Sequence, residues 1–474
     1  MNSITTTSAF LLALLALAPA TAAQKGRYVA YTGGRVVQAP GKVIEKGTVL
    51  VKDGRIEAVG KEVDIPWQAE RIDCTGKWLY PGFLCIATRS GMKGRPNPRF
   101  KPFAALNPED GAWKAYRRRG FTTIGLVPRG QGLAGEITVI RPVGKTAEAM
   151  TLIKCAGASL GARMDGNSAR AVVKIMESGK KEVEARRQEA EAKKKAAAEA
   201  KKKAEEEKKK KGEEKKGEKP KPKPEPKPKP EPKPKPEPKP KPEPKPRPKP
   251  RPIPYPRAEP KPTPKPPSKA KAPAKAAPAP KERKVPDFVA LAADVIEGKV
   301  PAFVEVYGPT GLLYLAKELG ELRFPMLLLA DDPNRSRNLP PISVLADKIK
   351  KLKAAVALPA AMARIPLRQP LLHPVLELQE AGAEVVIQPG PPGELDDFRL
   401  RLARLVGYGL PAADALAAIT TRPARWLGVK ERVGTLEPGK DANFVLFTGD
   451  FLDLKSRLEG VVIEGERVYE FDKE

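Results

Sequence analysis

Residues 28–83 decide the first half of the fold and read YVAYTGGRVVQAPGKVIEKGTVLVKDGRIEAVGKEVDIPWQAERIDCTGKWLYPGF. Short apolar runs alternate here with tight turns, which is typical of strands in a small antiparallel β module. The pair Asp53-Gly54 has the composition of a two-residue hairpin turn. After Pro81 the pattern changes, so the β module is predicted to end there.

Apolar runs alternate with helical stretches beyond Pro81, which predicts a parallel α/β architecture. Without the low-complexity insert described next, residues 81–428 leave roughly 240 residues, a length that suits a (β/α)8 barrel. About seven runs have clear strand character, so a distorted barrel is expected. The clearest runs are FLCIA (83–87), FTTIGLV (121–127), PAFVEVY (301–307), PMLLLAD (325–331), AAVALPA (354–360) and AEVVIQ (383–388).

A charged insert interrupts the α/β region. Residues 182–216 combine high helix propensity with interleaved opposite charges and almost no apolar stripe, which predicts a solvated helix. From Lys219 to Pro280 the repeat KPKPEP takes over. Proline removes amide donors and favours extended backbone, so a disordered polyproline-rich segment is expected. If both flanks build one domain, this insert leaves and returns as a loop.

The formal net charge of +30, from 87 Lys+Arg against 57 Asp+Glu, arises mostly within this insert. A nucleic-acid footprint spread over the fold is therefore not favoured, and an aromatic content of 5% is too low for a base-stacking platform. The insert could instead tether the protein to an anionic cell-envelope polymer, or it could be a solvated spacer without a specific partner.

The first residues have the pattern of an export signal. The polar start MNSITTTS precedes the apolar run AFLLALLALAPA and the small residues before Gln24. This run is too short to span a bilayer as a helix. A periplasmic or extracellular location is therefore expected. The three cysteines, Cys74, Cys85 and Cys155, exclude a four-cysteine zinc site.

Several separated motifs together resemble the amidohydrolase superfamily, specifically its imidazolonepropionase-like members. These are GRVV, GTVLVKDGRIEAVG and DCTGKWLYPGF near the start, LNPEDGAWKAYRRRGFTTIGLVPRGQGLAGE (106–136), and DALAAITTRPARWLGVKERVGTLEPGKDANFVLF (414–447) with VVIEGERVY (461–469) near the end. The resemblance implies a distorted TIM-like (β/α)8 barrel plus a β-sandwich composed from both chain ends.

With this resemblance the domain boundaries follow. They are a signal peptide (1–23), the N-terminal part of the sandwich (24–80), the first part of the barrel (81–181), the insert (182–284), the second part of the barrel (285–428) and the C-terminal part of the sandwich (429–474).

The resemblance also implies metal-dependent hydrolysis of carbon–nitrogen bonds, with histidines and an aspartate holding a metal at the barrel mouth. Here the two histidine positions of the first signature fall on Ala87 and Arg89, and the preceding aspartate position falls on Cys85. Alanine offers no donor atom, and arginine is cationic. The family's catalytic aspartate position falls near residues 388–390, which read Gln-Pro-Gly.

His373 is the single histidine of the chain, which excludes a site made of several imidazoles. It precedes Pro374 and a helical stretch, so a helix-cap or surface role is expected. A carboxylate-only site for magnesium or calcium is the remaining metal hypothesis. Its candidate residues are Glu305 and the pair Asp331-Asp332. The alternative is structural: Asp331-Asp332 as turn or cap residues, and Glu305 paired with Arg89 or another cation.

These observations predict an exported amidohydrolase-like protein that has lost its metal centre and acts by binding or as a scaffold, without a cofactor. Arg89 would make the barrel mouth a pocket for a small anionic molecule. The pocket candidates are Arg89, Glu305, Asp331 and Asp332. Two alternatives remain: an active hydrolase of carbon–nitrogen bonds, and a tether acting through the insert. A homodimer, or a dimer with an amidohydrolase homologue, is a further partner hypothesis.

Overall fold

The computed structural model describes residues 26–94, 97, 99–162, 165–214, 285–330, 340–364 and 371–471. The predicted signal peptide, the KPKPEP repeat and the pair Asp331-Asp332 lie outside these residues. Residues Met1–Ala190 and Val285–Glu474 form one compact unit, and Glu191–Lys284 form a second. Within the described residues, no helix is both long enough and apolar enough to cross a membrane.

The part of the chain before the insert supplies strands of two sheets. The strands are β1 (Tyr28–Ala39), β2 (Lys42–Lys52), β3 (Arg55–Gly60), β4 (Glu70–Asp73), β5 (Trp78–Pro81), β6 (Phe83–Thr88), β7 (Phe121–Leu126), β8 (Gly132–Ile140) and β9 (Thr151–Ala162). The helices are α1 (Pro102–Ala105), α2 (Ala112–Arg117), α3 (Ala147–Met150) and α4 (Gly166–Glu214).

After the insert, strands and helices alternate as the sequence predicts. The strands are β10 (Ala302–Val306), β11 (Met326–Ala330), β12 (Ala355–Pro359), β13 (Ala363–Arg364), β14 (Leu371–Leu372), β15 (Val385–Gln388), β16 (Phe444–Phe447), β17 (Leu458–Ile463) and β18 (Glu466–Glu470). The helices are α5 (Asp287–Ile296), α6 (Gly308–Leu319), α7 (Ala346–Leu352), α8 (Pro374–Glu380), α9 (Phe398–Gly407), α10 (Ala412–Ile419) and α11 (Thr421–Trp426). Two 3-10 turns span Ile342–Leu345 and Pro392–Glu394.

The first sheet is composed from both chain ends, as predicted. Its strand order is β18-β17-β16-β5-β1-β2-β3, with β4 beside β1. The join between the two halves is antiparallel, with Phe444 opposite Pro81. The predicted hairpin turn is also confirmed, because Asp53 and Gly54 both have positive φ (48° and 80°) between β2 and β3.

The second sheet is a nearly closed barrel of eight strands, in the order β15-β12-β11-β10-β9-β8-β7-β6, with β15 lying near β6. Most neighbouring strands are parallel, but β8 runs antiparallel to both β7 and β9. The distorted barrel that the sequence predicts is therefore confirmed. The distortion is a hairpin, β7 to β8, in place of a strand–helix–strand crossover.

Gly82 joins the two sheets, because β5 ends at Pro81 and β6 begins at Phe83. A Cβ atom at residue 82 would lie 2.2 Å from Oγ1 of Thr122 on the neighbouring β7 strand. Real Cβ contacts are not that short, so only glycine lets the chain pass this point without displacing Thr122. Beyond it, β6 is buried along its whole length.

The interior of the barrel is a separate apolar cluster that includes Leu84 and Ile86 from β6, Phe303 from β10 and Val386 from β15. Because side chains alternate along a strand, residues two positions further along point to the same face. Thr88, Glu305 and Gln388 therefore follow this interior face toward the carboxyl ends of their strands.

Helix α4 begins at Gly166, earlier than the predicted helix start at residue 182. Its first turns pack against the barrel, since Val172 and Met176 are fully buried. Side chains 187–199 are exposed, as expected for a helix without an apolar stripe. The sequence therefore predicts the solvated portion correctly and misses the packed portion.

Candidate functional site at the barrel mouth

The carboxyl ends of parallel barrel strands are the usual place for functional groups in this architecture. In this chain they carry Thr88 on β6, Glu305 on β10 and Gln388 on β15. All three side chains are at most 8% exposed. This set defines the barrel mouth below, together with the loop of residues 127–131 that joins β7 to β8.

Glu305 is the central charged residue of the barrel mouth. Its side chain is 3% exposed, and its Oε1 atom lies 3.3 Å from Nε of Arg129. The hydroxyl of Tyr307 donates a hydrogen bond of 2.9 Å to the same oxygen. The other oxygen, Oε2, is buried and has no hydrogen-bond partner within the described part of the chain. Oε1 of Glu305 is therefore paired with a cation and a hydroxyl, whereas Oε2 can still accept a hydrogen bond.

Arg129 lies in the β7–β8 loop, which contacts β9 closely. The hydroxyl of Ser159 donates to the carbonyl of Pro128 at 2.5 Å. A Cβ atom at residue 161 would lie 1.6 Å from the carbonyl oxygen of Gly130, so Gly161 lets the loop backbone approach the strand. These two contacts place the loop so that Arg129 reaches Glu305.

From the sequence, the cation that pairs with Glu305 could be Arg89 or another residue. In the structure this cation is Arg129. Arg89 is exposed. Ala87, at the other degenerate ligand position, packs with the apolar barrel interior. Arg129 was missed because the hairpin carrying it replaces an expected crossover. The sequence signal for Arg129 was its position in the loop that follows the strand FTTIGL, since functional residues are often found in such loops.

Cys85 stands at the signature's aspartate position and is fully buried. Its thiol lies 4.0 Å from the hydroxyl of Tyr116, and burial raises its pKa to about 12. The hydroxyl of Tyr116 also lies 2.9 Å from Oγ1 of Thr88 and 3.3 Å from the carbonyl of Gly390. A thiol with so high a pKa stays protonated at neutral pH and is a poor metal ligand or nucleophile.

Gln388 ends β15 near the position where an aspartate would act. Its amide Nε2 donates to the carbonyl of Ala357 at 2.9 Å, which ties β15 to β12. The amide group of glutamine neither gains nor loses a proton near neutral pH. The side chain at this position therefore supports the barrel and cannot serve as a general base.

His373 caps α8, as the sequence predicts. Its Nδ1 accepts a hydrogen bond of 3.0 Å from the amide of Leu376, and its Nε2 lies 3.0 Å from the carbonyl of Leu405. An accepting Nδ1 places the proton on Nε2, which then donates to that carbonyl. The side chain is buried. The predicted helix-cap role is therefore confirmed, and the alternative of a surface residue is wrong.

Comparison with known proteins bears on the fold and on the C-terminal region. Residues 394–468 match the family described as "Amidohydrolase family". The structure of an amidohydrolase from Thermotoga maritima MSB8 superimposes with a TM-score of 0.61 and 19% identity, over 94% of this chain and 100% of that one. Residues 394–468 therefore match the amidohydrolase family, and the chain has the fold of this amidohydrolase.

Two curated amidohydrolase relatives match shorter segments. Amidohydrolase tasK of Hapsidospora irregularis is 39% identical over 66 residues, 14% of this chain and 7% of that protein. The dihydroorotase of Anaeromyxobacter dehalogenans (strain 2CP-C) is 36% identical over 52 residues, 11% of this chain and 12% of that enzyme. The matched segments thus span a small part of either relative.

The donor atoms of the described residues at the barrel mouth do not fit a divalent metal. Ala87 has no donor, Arg89 is cationic, and Oε1 of Glu305 is bonded to a guanidinium and a hydroxyl. In the described residues, no group of three or more His, Cys, Asp or Glu side chains is arranged to hold a metal.

Proposed function

We propose that this amidohydrolase-fold protein binds a small molecule at its barrel mouth without hydrolysing it. The single observation that carries the proposal is the ion pair between Arg129 and Glu305. At the carboxyl end of β10, the carboxylate is held by a side-chain cation of the protein itself. A guanidinium can neutralise the carboxylate, but it cannot generate a metal-bound hydroxide.

The chemistry of the mouth favours a ligand that donates hydrogen bonds. Oε2 of Glu305 is a buried acceptor without a partner in the described residues, and an unmet buried acceptor costs about 1–3 kcal/mol. A ligand N–H group placed there would remove that cost. An amide or amine is therefore the group that we expect Glu305 to recognise.

Export and tethering complete the proposal. The start of the chain has the composition of a secretion signal, and the insert at residues 182–284 carries most of the excess positive charge. We propose a periplasmic or extracellular protein whose basic insert contacts anionic envelope polymers. Deleting residues 215–284 should then release the protein from envelope fractions at low salt.

The test of lost hydrolysis uses the purified full chain loaded with zinc or manganese, then freed of unbound ion. Bound metal is measured by elemental analysis, and turnover is measured with N-acyl amino acids and dihydroorotate. We expect substoichiometric metal and no turnover. Stoichiometric metal together with turnover that disappears in Glu305→Gln would establish the active hydrolase instead.

A further inference from the structure

A second pocket lies away from the barrel mouth, at the amino-terminal ends of β6 and β7. Its lining includes Phe83, the first residue of β6, and the pair Arg118-Arg119 that precedes β7. Side chains from α9 and from the segment joining β16 to β18 complete it. The cavity has a volume of about 360 Å³, within the size range of small-molecule sites.

The charge of this pocket is strongly unbalanced. Four arginines contribute to its lining, against the single carboxylate of Asp396. Asp396 is already bonded to the guanidinium of Arg119. Arg457 lies 5.1 Å over the ring of Phe471, and in the described residues no carboxylate pairs with it. Arg457 therefore brings to the pocket a positive charge that the pocket's own carboxylate does not neutralise.

Its floor is aromatic. The ring of Phe451 lies 5.5 Å from that of Phe83 and 6.4 Å from that of Phe447. The guanidinium of Arg399 lies 5.5 Å over the ring of Phe447. Phe83, Phe447 and Phe451 are each at most 3% exposed, so this floor is a buried apolar base beneath the cavity.

Three apolar side chains at the rim of this pocket are exposed to solvent. Leu400, Leu454 and Phe471 are 50%, 53% and 46% exposed, and all three line the same pocket. A single exposed apolar residue needs no explanation, but a cluster around one cavity marks an interaction site. An occupant would cover this apolar surface.

One wall is held in place before any ligand arrives. A terminal nitrogen of Arg399 donates to the carbonyls of Ser456 at 2.6 Å and Leu454 at 3.2 Å. These bonds fix α9 against the segment after β16. Burial lowers the pKa of the Arg399 guanidinium, the nearby carboxylate of Asp453 opposes this lowering, and the nearby charge of Arg119 adds to it. An anion in the pocket would relieve this repulsion between the two arginines.

We propose that this pocket binds a small organic anion, with an aromatic body against the exposed side chains of Leu400, Leu454 and Phe471 and a carboxylate or sulfonate at Arg457. Charge complementarity selects the anion, and the exposed apolar rim selects an organic body over an inorganic ion. The site is separate from Glu305, so it does not depend on the function proposed for the barrel mouth.

The test titrates the full chain with 8-anilinonaphthalene-1-sulfonate by fluorescence, followed by competition with naphthalene-2-carboxylate and with its neutral carboxamide. We expect saturable binding that the carboxylate displaces and the carboxamide displaces at least tenfold less well. Arg457→Gln and Leu454→Asp should each raise the dissociation constant about tenfold, the equivalent of about 1.4 kcal/mol. Both side chains are exposed, so both variants are expected to fold.

Arg404→Gln is the matched control. Arg404 is also an exposed arginine over an aromatic ring, 5.8 Å from that of Tyr408, but it does not line the pocket. Binding should be unchanged in Arg404→Gln and in Glu305→Gln. Equal displacement by carboxylate and carboxamide would overturn the proposal. So would unchanged affinity in both pocket variants, or light scattering showing a dimer that Leu454→Asp dissociates while probe binding stays the same.

Discussion

Arg129 Nε lies 3.3 Å from Glu305 Oε1 at the barrel mouth, joining the β7–β8 loop to the end of β10. Arginine is the residue best suited to a partly buried carboxylate, because its charge persists at any working pH. This pair links the distortion of the barrel to its chemistry. The loop of the hairpin formed by β7 and β8 carries Arg129, which contacts the carboxylate of Glu305.

Removing the cation alone should destabilise the protein. In Arg129→Met the buried carboxylate of Glu305 loses its charge partner, and we expect the free energy of unfolding to fall by about 1–3 kcal/mol. The double variant Arg129→Met/Glu305→Gln should recover most of that loss, since a neutral amide is cheaper to bury. Urea denaturation followed by circular dichroism measures both changes.

The matched control is the ion pair of Arg27 and Glu70, which has the same 3.3 Å separation but side chains that are 70% and 58% exposed. Arg27→Met should cost less than about 1 kcal/mol, because water already solvates both charges. If Arg129→Met costs no more than Arg27→Met, the buried pair does not organise the mouth.

The close approach of the loop to β9 gives a second prediction. Gly161→Ala would place a Cβ atom 1.6 Å from the carbonyl oxygen of Gly130, so the loop must move. We expect a loss of at least about 2 kcal/mol and altered ligand binding at the mouth, because Arg129 moves with the loop. Differential scanning calorimetry and binding titrations would record the two effects.

Gly407→Ala provides the comparison for this substitution. Gly407 is the last residue of α9, and a Cβ atom added there would have no neighbouring atom within 4 Å. Alanine should therefore be neutral at this position or stabilise the protein by up to about 1 kcal/mol. Equal stability of the two alanine variants would contradict the role assigned to Gly161.

The cap formed by His373 gives a third prediction. His373→Ala removes an acceptor for the amide of Leu376 and a donor for the carbonyl of Leu405, so we expect a loss of about 1–3 kcal/mol. His373→Asn can still cap the helix but is too short for Leu405, and its stability, measured by urea denaturation, should fall between wild type and alanine. An asparagine variant as unstable as alanine would show that the contact with Leu405 dominates.

Local signals in the sequence were sufficient for much of this fold. The Asp53-Gly54 turn depends on two residues that tolerate positive φ, and His373-Pro374 begins a helix by its own chemistry. Six of the eight barrel strands, β6, β7, β10, β11, β12 and β15, were visible as apolar runs. The alignment of Ala87 and Arg89 with the family's ligand positions stays a prediction from the contiguous segment of residues 81–89.

The missing features depend on contacts distant in sequence. Strand β8 contains Gly132 and Gly135, both with positive φ, so it lacks the regular pattern of a strand. Without β8 the β7–β8 hairpin was not predicted, and Arg129 could not be placed beside Glu305. The arginine pocket brings residues 118–119, 399 and 457 together, which no sequence spacing reveals.

The buried thiols give a prediction for alkaline pH. Burial raises the pKa of Cys85 to about 12 and those of Cys74 and Cys155 to about 11, from an ordinary value of 9.0. The unfolded chain therefore loses these protons first as pH rises, and binds fewer protons than the folded chain between pH 9 and pH 11. The thiols should leave stability unaffected below about pH 9 and lower it above that pH, which urea denaturation across the range would measure.

The same pKa shifts should slow the alkylation of the folded protein. Folded thiolates are scarce at about pH 8, so iodoacetamide should modify Cys74 and Cys155 about a hundredfold more slowly than an unperturbed thiol, and Cys85 more slowly still. Mass spectrometry of the folded and the urea-unfolded chain compares these rates, with the unfolded chain as the control. Rapid modification of Cys85 in the folded protein would show that strand β6 opens at the barrel mouth, because this thiol is otherwise fully buried.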